Sequence, residues 1–417
     1  MRHCGAVLRS LRSFSIFKGP APESLTSVKE LRRKLQDHVR VLQDRGRNGA
    51  PGLVEAESLE PRGMLDSWDQ VLLPLSSSPK LRLQYLNLLG NIRFGRLLED
   101  LDTFAVWLSY RHNQGLQNAG QEPRHHPMCM VTACVDRIDV LRREAISVEE
   151  DILLEGHVSW VGRSSLETSM RLLDPRGDEL LHAKFVMVAL HPANFKPVPV
   201  HPLEPSGKTE EAIMAEGEAN TLLRKTMAKE SLLKIPPTPD ETHLLHEIFR
   251  RTIDDEQRTF KVRVLPPQAV WMEDSKLKTV HICHPEERNL YHKIFGGFLM
   301  RQAYELAWAN ARVFAKDRPI ILSVDDIVFA KSVEIGSLLY LSSQVCYSTE
   351  NLMQVQVHAE IVNPDEGTHD TTHTFQFTFA SPHRVPTVLP STYADGMLYL
   401  NGKRHFDETM RQRAHIR

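Results

Sequence analysis

The segments Asn87-Leu-Leu-Gly90-Asn-Ile-Arg-Phe94-Gly95 and Asn289-Leu-Tyr-His-Lys-Ile-Phe295-Gly296-Gly297 follow one plan, and the second begins 202 residues after the first. In each, an Asn stands eight residues before a Gly, and an apolar helical pattern follows. This repeat predicts two domains of one architecture, because each copy must bury the same kind of apolar face. An Asn beside glycines at a helix N-terminus also gathers oriented N–H groups, which suit a substrate oxygen that gains negative charge.

The elements around the two segments repeat as well. Each copy is predicted to contain a short strand, the Asn/Gly turn, a long helix (94–110 and 297–314) and a run of strands. One helix followed by antiparallel strands, done twice, predicts an α+β fold in which each curved sheet wraps a central helix. The strands predicted after the helices are 129–138, 152–161, 165–173 and 181–190 in the first copy, and 319–329, 337–347, 352–362 and 371–380 in the second.

We divide the chain into six predicted segments. They are a presequence (1–22), an N-terminal helix and linker (23–63), a first domain (64–195), a helical linker (196–257), a second domain (258–400) and a C-terminal tail (401–417). The presequence carries four basic residues and several serines, with no acid before Glu23. This composition is typical of mitochondrial targeting segments, so we expect a protein of the mitochondrial matrix.

The composition argues against several classes of protein. With 41% hydrophobic and 25% charged residues the chain is typical of globular proteins, and its net charge of −2 gives no basic field for nucleic acid. No apolar run approaches the roughly 18 residues that a membrane span requires. The five cysteines show no C-x-x-C spacing, which argues against a disulfide framework and a structural zinc site. We therefore expect no nucleic acid, no integral membrane segment and no metal.

The helix predicted at 94–110 carries a candidate base. Its apolar residues form one stripe at spacings of three and four, and Asp100 and Asp102 lie on the two margins of that stripe. Partial burial at such a margin would raise the pKa of a carboxyl group and make it a better base, while leaving it able to reach a cleft.

Taken together, these motifs resemble the hotdog-fold acyl-CoA thioesterases, and the doubled form resembles the tandem, double-hotdog members of that family. Further agreement comes from Val131-Thr-Ala-Cys-Val-Asp136, Leu322-Ser-Val-Asp-Asp326 and Val161-Gly-Arg-Ser-Ser-Leu-Glu167. The resemblance covers roughly residues 64–400. It implies two hotdog domains, hydrolysis of acyl-CoA to free fatty acid and coenzyme A without a cofactor, and assembly as a homo-oligomer.

The resemblance also implies that a working site combines an Asn from one copy with an acid from the helix of the other. Asp102 stands seven residues after Gly95, so Asn289 and Asp102 make a complete pair. Asp102 would be the general base, while Asn289 and the N–H groups of Gly296 and Gly297 would stabilise the oxyanion. Direct attack by Asp102, giving an anhydride, is the alternative that the sequence leaves open.

The reciprocal pair lacks an acid at the expected place. Seven residues after Gly297 stands Tyr304, with Glu305 next to it. We therefore expect one complete site and one degenerate second site, made of Asn87, Gly95 and Glu305, in which Glu305 would have to replace the missing acid.

For the coenzyme A moiety, the family pattern points to three places. They are the turn of Gly162, Arg163 and Ser164, the strand edge of Thr132, Ala133 and Cys134, and Lys331 after a strand of the second copy. Arg and Lys would meet phosphate, and a Ser hydroxyl or a turn N–H could add hydrogen bonds.

Simpler interpretations and two other function classes also fit these residues. Asn87 and Asn289 could be turn or helix-cap residues, and Asp102 a solvated helix charge. A hydratase or dehydratase acting on acyl thioesters usually pairs a His with an acid, and His292 and Glu305 are the candidates near the Gly-Gly turn. In a non-catalytic acyl-CoA-binding module, Asp102 would be expendable.

Overall fold

The computed structural model describes residues 25–47, 59–114, 128–142, 144–254, 256, 259–260, 262–289, 291–329 and 331–415. The predicted presequence, residues 1–22, lies outside the described residues. The chain divides into two compact units: unit 1 (1–220, 284–301 and 328–335) and unit 2 (221–283, 302–327 and 336–417). Residues 284–301 and 328–335, which the sequence assigns to the second domain, therefore belong to unit 1.

Helices and strands are numbered here in chain order. The helices are α1 (Val28–Arg47), α2 (Met64–Ser67), α3 (Pro79–Tyr85), α4 (Phe94–Gln114), α5 (Lys208–Lys229), α6 (Pro239–Arg250), α7 (Gly296–Ala315) and α8 (Tyr393–His415). The strands are β1 (Thr26–Ser27), β2 (Asp69–Leu73), β3 (Cys129–Val140), β4 (Ile152–Val161), β5 (Ser165–Leu173), β6 (Glu179–Leu190), β7 (Ala269–Trp271), β8 (Leu277–Ile282), β9 (Ile320–Phe329), β10 (Leu338–Thr349), β11 (Leu352–Asn363), β12 (Thr368–Ala380) and β13 (Thr387–Leu389). None of the described helices is long and apolar enough to cross a membrane.

Unit 1 contains an antiparallel sheet in the order β2-β4-β5-β6-β3, and α4 packs against its strands β3 to β6. The predicted apolar stripe of this helix is the core, since Leu97, Leu101, Phe104 and Leu108 are fully buried. Gly156 in β4 permits the close approach, because a Cβ there would lie 2.8 Å from Cδ1 of Leu108. The absence of a side chain at Gly156 therefore lets α4 pack close to β4.

Within unit 1, the N-terminal helix α1 is joined to α4 through a buried carboxylate. Asp100 of α4 is 1% exposed, and its two oxygens accept hydrogen bonds from Nη2 of Arg32 at 2.7 Å and from the hydroxyl of Tyr85 at 2.6 Å. Arg32 lies on α1, while Tyr85 ends α3. Of the two acids predicted at the margins of the stripe, Asp100 is thus engaged in joining three helices.

Unit 2 contains strands in the order β9-β12-β11-β10-β8, and its clearest sequence signal is confirmed. Phe375, Phe377 and Phe379 of β12 are fully buried, as their alternation with polar residues predicted. Tyr304 of α7 packs against the last two of these rings, with centroid distances of 6.0 and 6.2 Å. The mixture of long helices and antiparallel sheets agrees with the predicted α+β class.

The C-terminal segment differs from its prediction. Residues 401–417 were expected to form a tail, but α8 continues to residue 415 and packs against β10, β11 and β12. Gly396 and Gly402 lower the helix propensity of this sequence. Gly402 has a packing reason, because a Cβ there would overlap Sγ of Cys346 in β10. What weakens the helix in isolation thus lets it approach the sheet.

Candidate active site

Asp102 lies on α4 of unit 1 and is 1% exposed. Its Oδ2 accepts a hydrogen bond from the backbone N–H of Gly297 at 2.7 Å, and its Oδ1 accepts one from the hydroxyl of Thr132. The carboxylate is therefore held at both oxygens, by the start of α7 and by β3. It is buried more deeply than its position on the margin of the helix stripe predicted, and it is not a solvated helix charge.

Burial raises the pKa of Asp102 to about 6. The hydrogen bonds from Thr132 and Gly297 oppose this effect, because they stabilise the charged form, while the nearby carboxylate of Glu99 reinforces it. The N-terminus of α7 also favours a negative charge at this place. The result is a carboxylate that is ionised at neutral pH and is a stronger base than an exposed Asp.

A β-bulge positions Thr132. In the pairing of β3 with β6, Thr132 lies opposite Met187 and Cys134 lies opposite Val186, which leaves Ala133 without a partner in the register. Such an extra residue bends the strand and re-aims the side chains next to it. The sequence had assigned Thr132 to coenzyme A, whereas the structure places its hydroxyl on the carboxylate of Asp102.

Glycines bring the backbone of α7 against α4. A Cβ on Gly297 would lie 2.9 Å from the Cα of Glu99, closer than real Cβ atoms approach, so only a glycine fits without a shift of the helix. A Cβ on Gly296 would lie 3.2 Å from Oδ2 of Asp102 and 3.6 Å from Cζ of Phe329. Gly297 is therefore required for the contact that binds the carboxylate, whereas at Gly296 a Cβ would be crowded but not excluded.

The two glycine N–H groups have different uses. Gly297 donates its N–H to Asp102, so this group is not available to a substrate oxygen as the sequence had proposed. Gly296 is the first residue of α7, where N–H groups have no intrahelical acceptor. Within the described part of the chain its N–H has no acceptor. It is thus the open backbone donor beside the carboxylate.

Asn289 begins a tight turn that leads to Gly296. Its Oδ1 accepts the N–H groups of Tyr291 at 2.8 Å and Lys293 at 3.1 Å, and its own N–H donates to the carbonyl of Lys293 at 2.6 Å. His292 is exposed and has a positive φ of 60°, as suits a turn residue. The Nδ2 group of Asn289 has no acceptor among the described residues. The turn therefore uses the oxygen of this amide and leaves its two N–H bonds for a ligand.

Asn87 forms the same turn but uses its whole amide. Its Oδ1 accepts the N–H groups of Leu89 at 2.8 Å and Asn91 at 3.0 Å, and its Nδ2 donates to the carbonyl of Ile92 at 3.0 Å. Gly90 takes the positive φ here, at 82°. The turn-residue interpretation thus accounts for the whole amide of Asn87, but for Asn289 it accounts for Oδ1 and not for Nδ2.

The remaining members of the predicted second site lie in different units. Asn87 and Gly95 belong to unit 1, and Glu305 belongs to unit 2. The position equivalent to Asp102 is occupied by Tyr304, whose ring packs among phenylalanines of β12. A pairing of Asn87 with Glu305 therefore stays a prediction.

The sequence analysis did not predict an ion pair that lies near the carboxylate of Asp102. Glu99 and Arg301 are 5% and 8% exposed, and Oε1 of Glu99 lies 3.0 Å from Nε of Arg301. The two positions are 202 residues apart, so they are equivalent in the two copies. Arg96 also contacts Glu99, at 2.7 Å. This ion pair joins the first turns of α7 to α4. The opposite charges at equivalent positions of the two copies are the sequence signal from which it could have been predicted.

The residues predicted to bind coenzyme A lie on the turn between β4 and β5, within β3, and just after β9. Gly162 donates its N–H to the carbonyl of Ser165 at 2.8 Å, which closes a turn that presents Arg163 to solvent. The carbonyl of Ser164 accepts the N–H of Ala189, Sγ of Cys134 lies 3.3 Å from Oδ1 of Asp136, and Lys331 is exposed. No group of His, Cys, Asp and Glu among the described residues could hold a metal ion.

Comparison with known proteins identifies several relatives, although no family model matches the chain. Mitochondrial acyl-coenzyme A thioesterase 9 of Homo sapiens is 45% identical over 403 residues, which are 94% of this chain and 90% of that protein. Mitochondrial acyl-coenzyme A thioesterase 10 of Mus musculus is 45% identical over 375 residues, 89% of this chain and 84% of that protein. The solved acyl-CoA hydrolase of Staphylococcus aureus is 25% identical over 35% of this chain and 93% of its own, with a TM-score of 0.34.

The two mammalian relatives match nearly the whole chain at an identity that leaves no doubt about common descent. They confirm the predicted family and the predicted enzyme class of thioester hydrolase, and their names agree with a mitochondrial location. The chain belongs to the acyl-coenzyme A thioesterase family.

Proposed function

We propose that this protein hydrolyses acyl-CoA thioesters to free fatty acid and coenzyme A, with Asp102 as the general base. The observation that carries the proposal is the buried carboxylate of Asp102, held by the N–H of Gly297 at 2.7 Å and with its pKa raised to about 6. A base of this strength accepts a proton from water near neutral pH, which is the step that thioester hydrolysis needs.

Each group has one role in the proposed reaction. Asp102 takes a proton from a water molecule while the water oxygen bonds to the thioester carbon. The carbonyl oxygen becomes an oxyanion, which accepts hydrogen bonds from Nδ2 of Asn289 and the N–H of Gly296. The C–S bond then breaks, and the thiolate of coenzyme A recovers the proton from Asp102. Gly297 and Thr132 hold the carboxylate throughout.

The architecture that we propose is a tandem of two hotdog domains with one working site. Asn87 is then a structural residue, since its amide is consumed by its own turn, and Tyr304 takes the place of the second acid. Arg163, Lys331 and the turn at Gly162 would bind the phosphates of coenzyme A. We further propose that the enzyme acts in the mitochondrial matrix as a homo-oligomer.

The test of this function uses product identity as well as rate. The enzyme, without residues 1–22, is incubated with straight-chain acyl-CoAs of increasing length, and free thiol and acyl products are measured. Release of thiol and fatty acid supports the proposal, whereas conversion of enoyl-CoA to its hydrated form without thiol release would favour the hydratase.

A single turnover in H₂¹⁸O tests whether the reaction passes through an anhydride that water opens at the Asp102 carbonyl carbon. If water attacks the thioester directly, the ¹⁸O atom appears in the fatty acid after the first turnover. If the carboxylate attacks first and water then opens the anhydride at the Asp102 carbonyl carbon, the first fatty acid takes one oxygen from Asp102 and ¹⁸O remains in the protein. We expect label in the product and none in the peptide that contains Asp102.

The rate should depend on pH through Asp102. Because only the carboxylate form accepts a proton, kcat/KM is expected to fall about tenfold per pH unit below a midpoint near pH 6, and to be level above about pH 7. A pH–rate profile measures this midpoint. Glu99→Gln removes a charge that raises the pKa of Asp102, so its midpoint should move to lower pH. A level profile down to pH 4.5 would contradict the assignment.

Gly297→Ala should disturb the site through the backbone. The new Cβ meets the Cα of Glu99 at 2.9 Å, so the start of α7 must move and its N–H leaves Asp102. We expect kcat to fall by about 10²-fold and the pH midpoint to rise, because a hydrogen bond that lowers the pKa of Asp102 is lost. Gly207→Ala, where a Cβ meets nothing within 4 Å, is the matched control and should keep the rate.

A further inference from the structure

The turns that begin at Asn87 and Asn289 have the same backbone hydrogen-bonding pattern, but different contacts hold their tips in place. In both turns, Oδ1 of the Asn accepts the N–H groups of the residues two and four positions after it. The residue three positions after the Asn, Gly90 or His292, has a positive φ. Only Asn87 closes its Nδ2 on the carbonyl five residues on, that of Ile92. The equivalent bond from Asn289 to Ile294 is not made. Backbone conformation alone therefore does not explain why the second amide stays open.

The side chain of Tyr291 distinguishes the second turn. Its hydroxyl is hydrogen-bonded to the hydroxyl of Tyr110, a fully buried residue of α4, and also to the thiol of Cys129 at the start of β3. The equivalent residue in the first turn is Leu89, which has no hydroxyl to offer. Tyr291 is thus a tether that joins the tip of the Asn289 turn to the helix that carries Asp102.

Tyr110 is itself fixed, which makes the tether stiff. Its oxygen accepts the N–H of Met130 at 3.2 Å, and its hydroxyl lies 3.4 Å from the carbonyl of Met128. With its proton directed at Met128, the oxygen of Tyr110 is left to accept the proton of Tyr291. The ring also packs edge-on against His38 of α1, at a centroid distance of 5.1 Å. The anchor therefore belongs to the rigid interior of unit 1.

We propose that Tyr291, held by Tyr110, is a positioning residue that keeps the amide of Asn289 open and aimed at the thioester oxygen. This inference rests on the proposed function, because it concerns the same site. The Nδ2 group of Asn289 reaches its place only through the turn, and the backbone N–H of Tyr291 is itself bonded to Oδ1 of that amide. A shift of the tip therefore moves the donor directly, and a displacement of about 1 Å in a positioning group can cost about 10²-fold in rate.

The test removes single hydroxyl groups and leaves the rings in place. Tyr291→Phe and Tyr110→Phe should each lower kcat by about 10- to 100-fold with KM changed less than about threefold, and the double variant should lose no more than either single one. Tyr85→Phe is the matched control. It also removes a buried hydroxyl bonded to α4, at Asp100, but does not touch the Asn289 turn, so its kcat should stay within about twofold. Thermal unfolding of all four variants checks that each is folded.

A cycle with Asn289→Ala separates positioning from other roles. If Tyr291 acts through Asn289, Tyr291→Phe should change kcat by less than about twofold in the Asn289→Ala background. An undiminished loss in that background, or a wild-type kcat in Tyr291→Phe itself, would overturn the inference. Asp102→Asn is measured beside them. If it keeps the wild-type rate, the proposed function fails and this inference fails with it. If Asp102→Asn is inactive while Tyr291→Phe is fully active, only the positioning role is refuted.

Discussion

Replacing Asp102 with Asn is expected to lower kcat by about 10²- to 10⁴-fold, the contribution typical of a general base. The amide cannot take a proton from water, although it has nearly the same shape as the carboxylate. Its oxygen can accept the N–H of Gly297, and its Nδ2 can donate to the hydroxyl oxygen of Thr132, which then acts as an acceptor. Both contacts of the site therefore survive, and the variant should fold. Initial rates of thiol release, at saturating and at low acyl-CoA, measure the effect.

Asp100→Asn is the matched control for this substitution. Asp100 lies two residues earlier on α4, is equally buried, and also accepts two hydrogen bonds, but from Arg32 and Tyr85. We expect this variant to lose about 1 to 3 kcal/mol of unfolding free energy and to keep its kcat within a few-fold. If Asp102→Asn turned over acyl-CoA as fast as the control, Asp102 would not be the base, and another acid, such as Glu305 of the predicted second site, would have to take that role.

Local patterns predicted much of this fold and part of its site. The bounds of β4 and β5 agree with the sequence reading, and the stripe of α4 and the phenylalanines of β12 are buried as their periodicities required. The 202-residue repeat identified both Asn turns, and the seven-residue spacing after Gly95 identified Asp102. Apart from the repeat, these signals are local, since each depends on residues that lie close together along the chain.

The features that sequence reasoning missed depend on contacts between distant residues. The contact of Gly297 with Asp102 joins residues 195 positions apart, and that of Tyr110 with Tyr291 joins residues 181 apart. Thr132 faces Asp102 because of a bulge whose extra residue is defined only by pairing with β6. Neither the spacing of residues along the chain nor their secondary-structure propensity predicts these long-range contacts. The sequence could therefore name the acid and the glycines but could not show that one glycine N–H is already used by the acid.

Asn289→Ala is expected to lower kcat by about 10²- to 10³-fold, the effect of removing one donor from an oxyanion site. Asn289→Asp is the sharper variant. A carboxylate at this position still accepts the N–H groups of Tyr291 and Lys293, so the turn persists, but the two N–H bonds of the amide are gone. If donation to the substrate is the role of Asn289, both variants should lose activity although only the alanine variant disturbs the turn. A fully active Asn289→Asp would refute the oxyanion role.

The first copy supplies the comparison, because Asn87 lies in an equivalent turn. Asn87→Ala removes three hydrogen bonds that the turn makes within itself, so it should lower the unfolding free energy by about 1 to 3 kcal/mol. Its kcat per folded molecule should equal that of the unsubstituted enzyme, since its amide already donates to Ile92. A loss of about half the activity would instead indicate that a second site with Glu305 works. Asn87 and Asn289 share the turn conformation and the hydrogen bonds that Oδ1 accepts. If the Asn289 variants lose activity and Asn87→Ala keeps it, the difference must come from the Nδ2 group of Asn289, which the turn does not use.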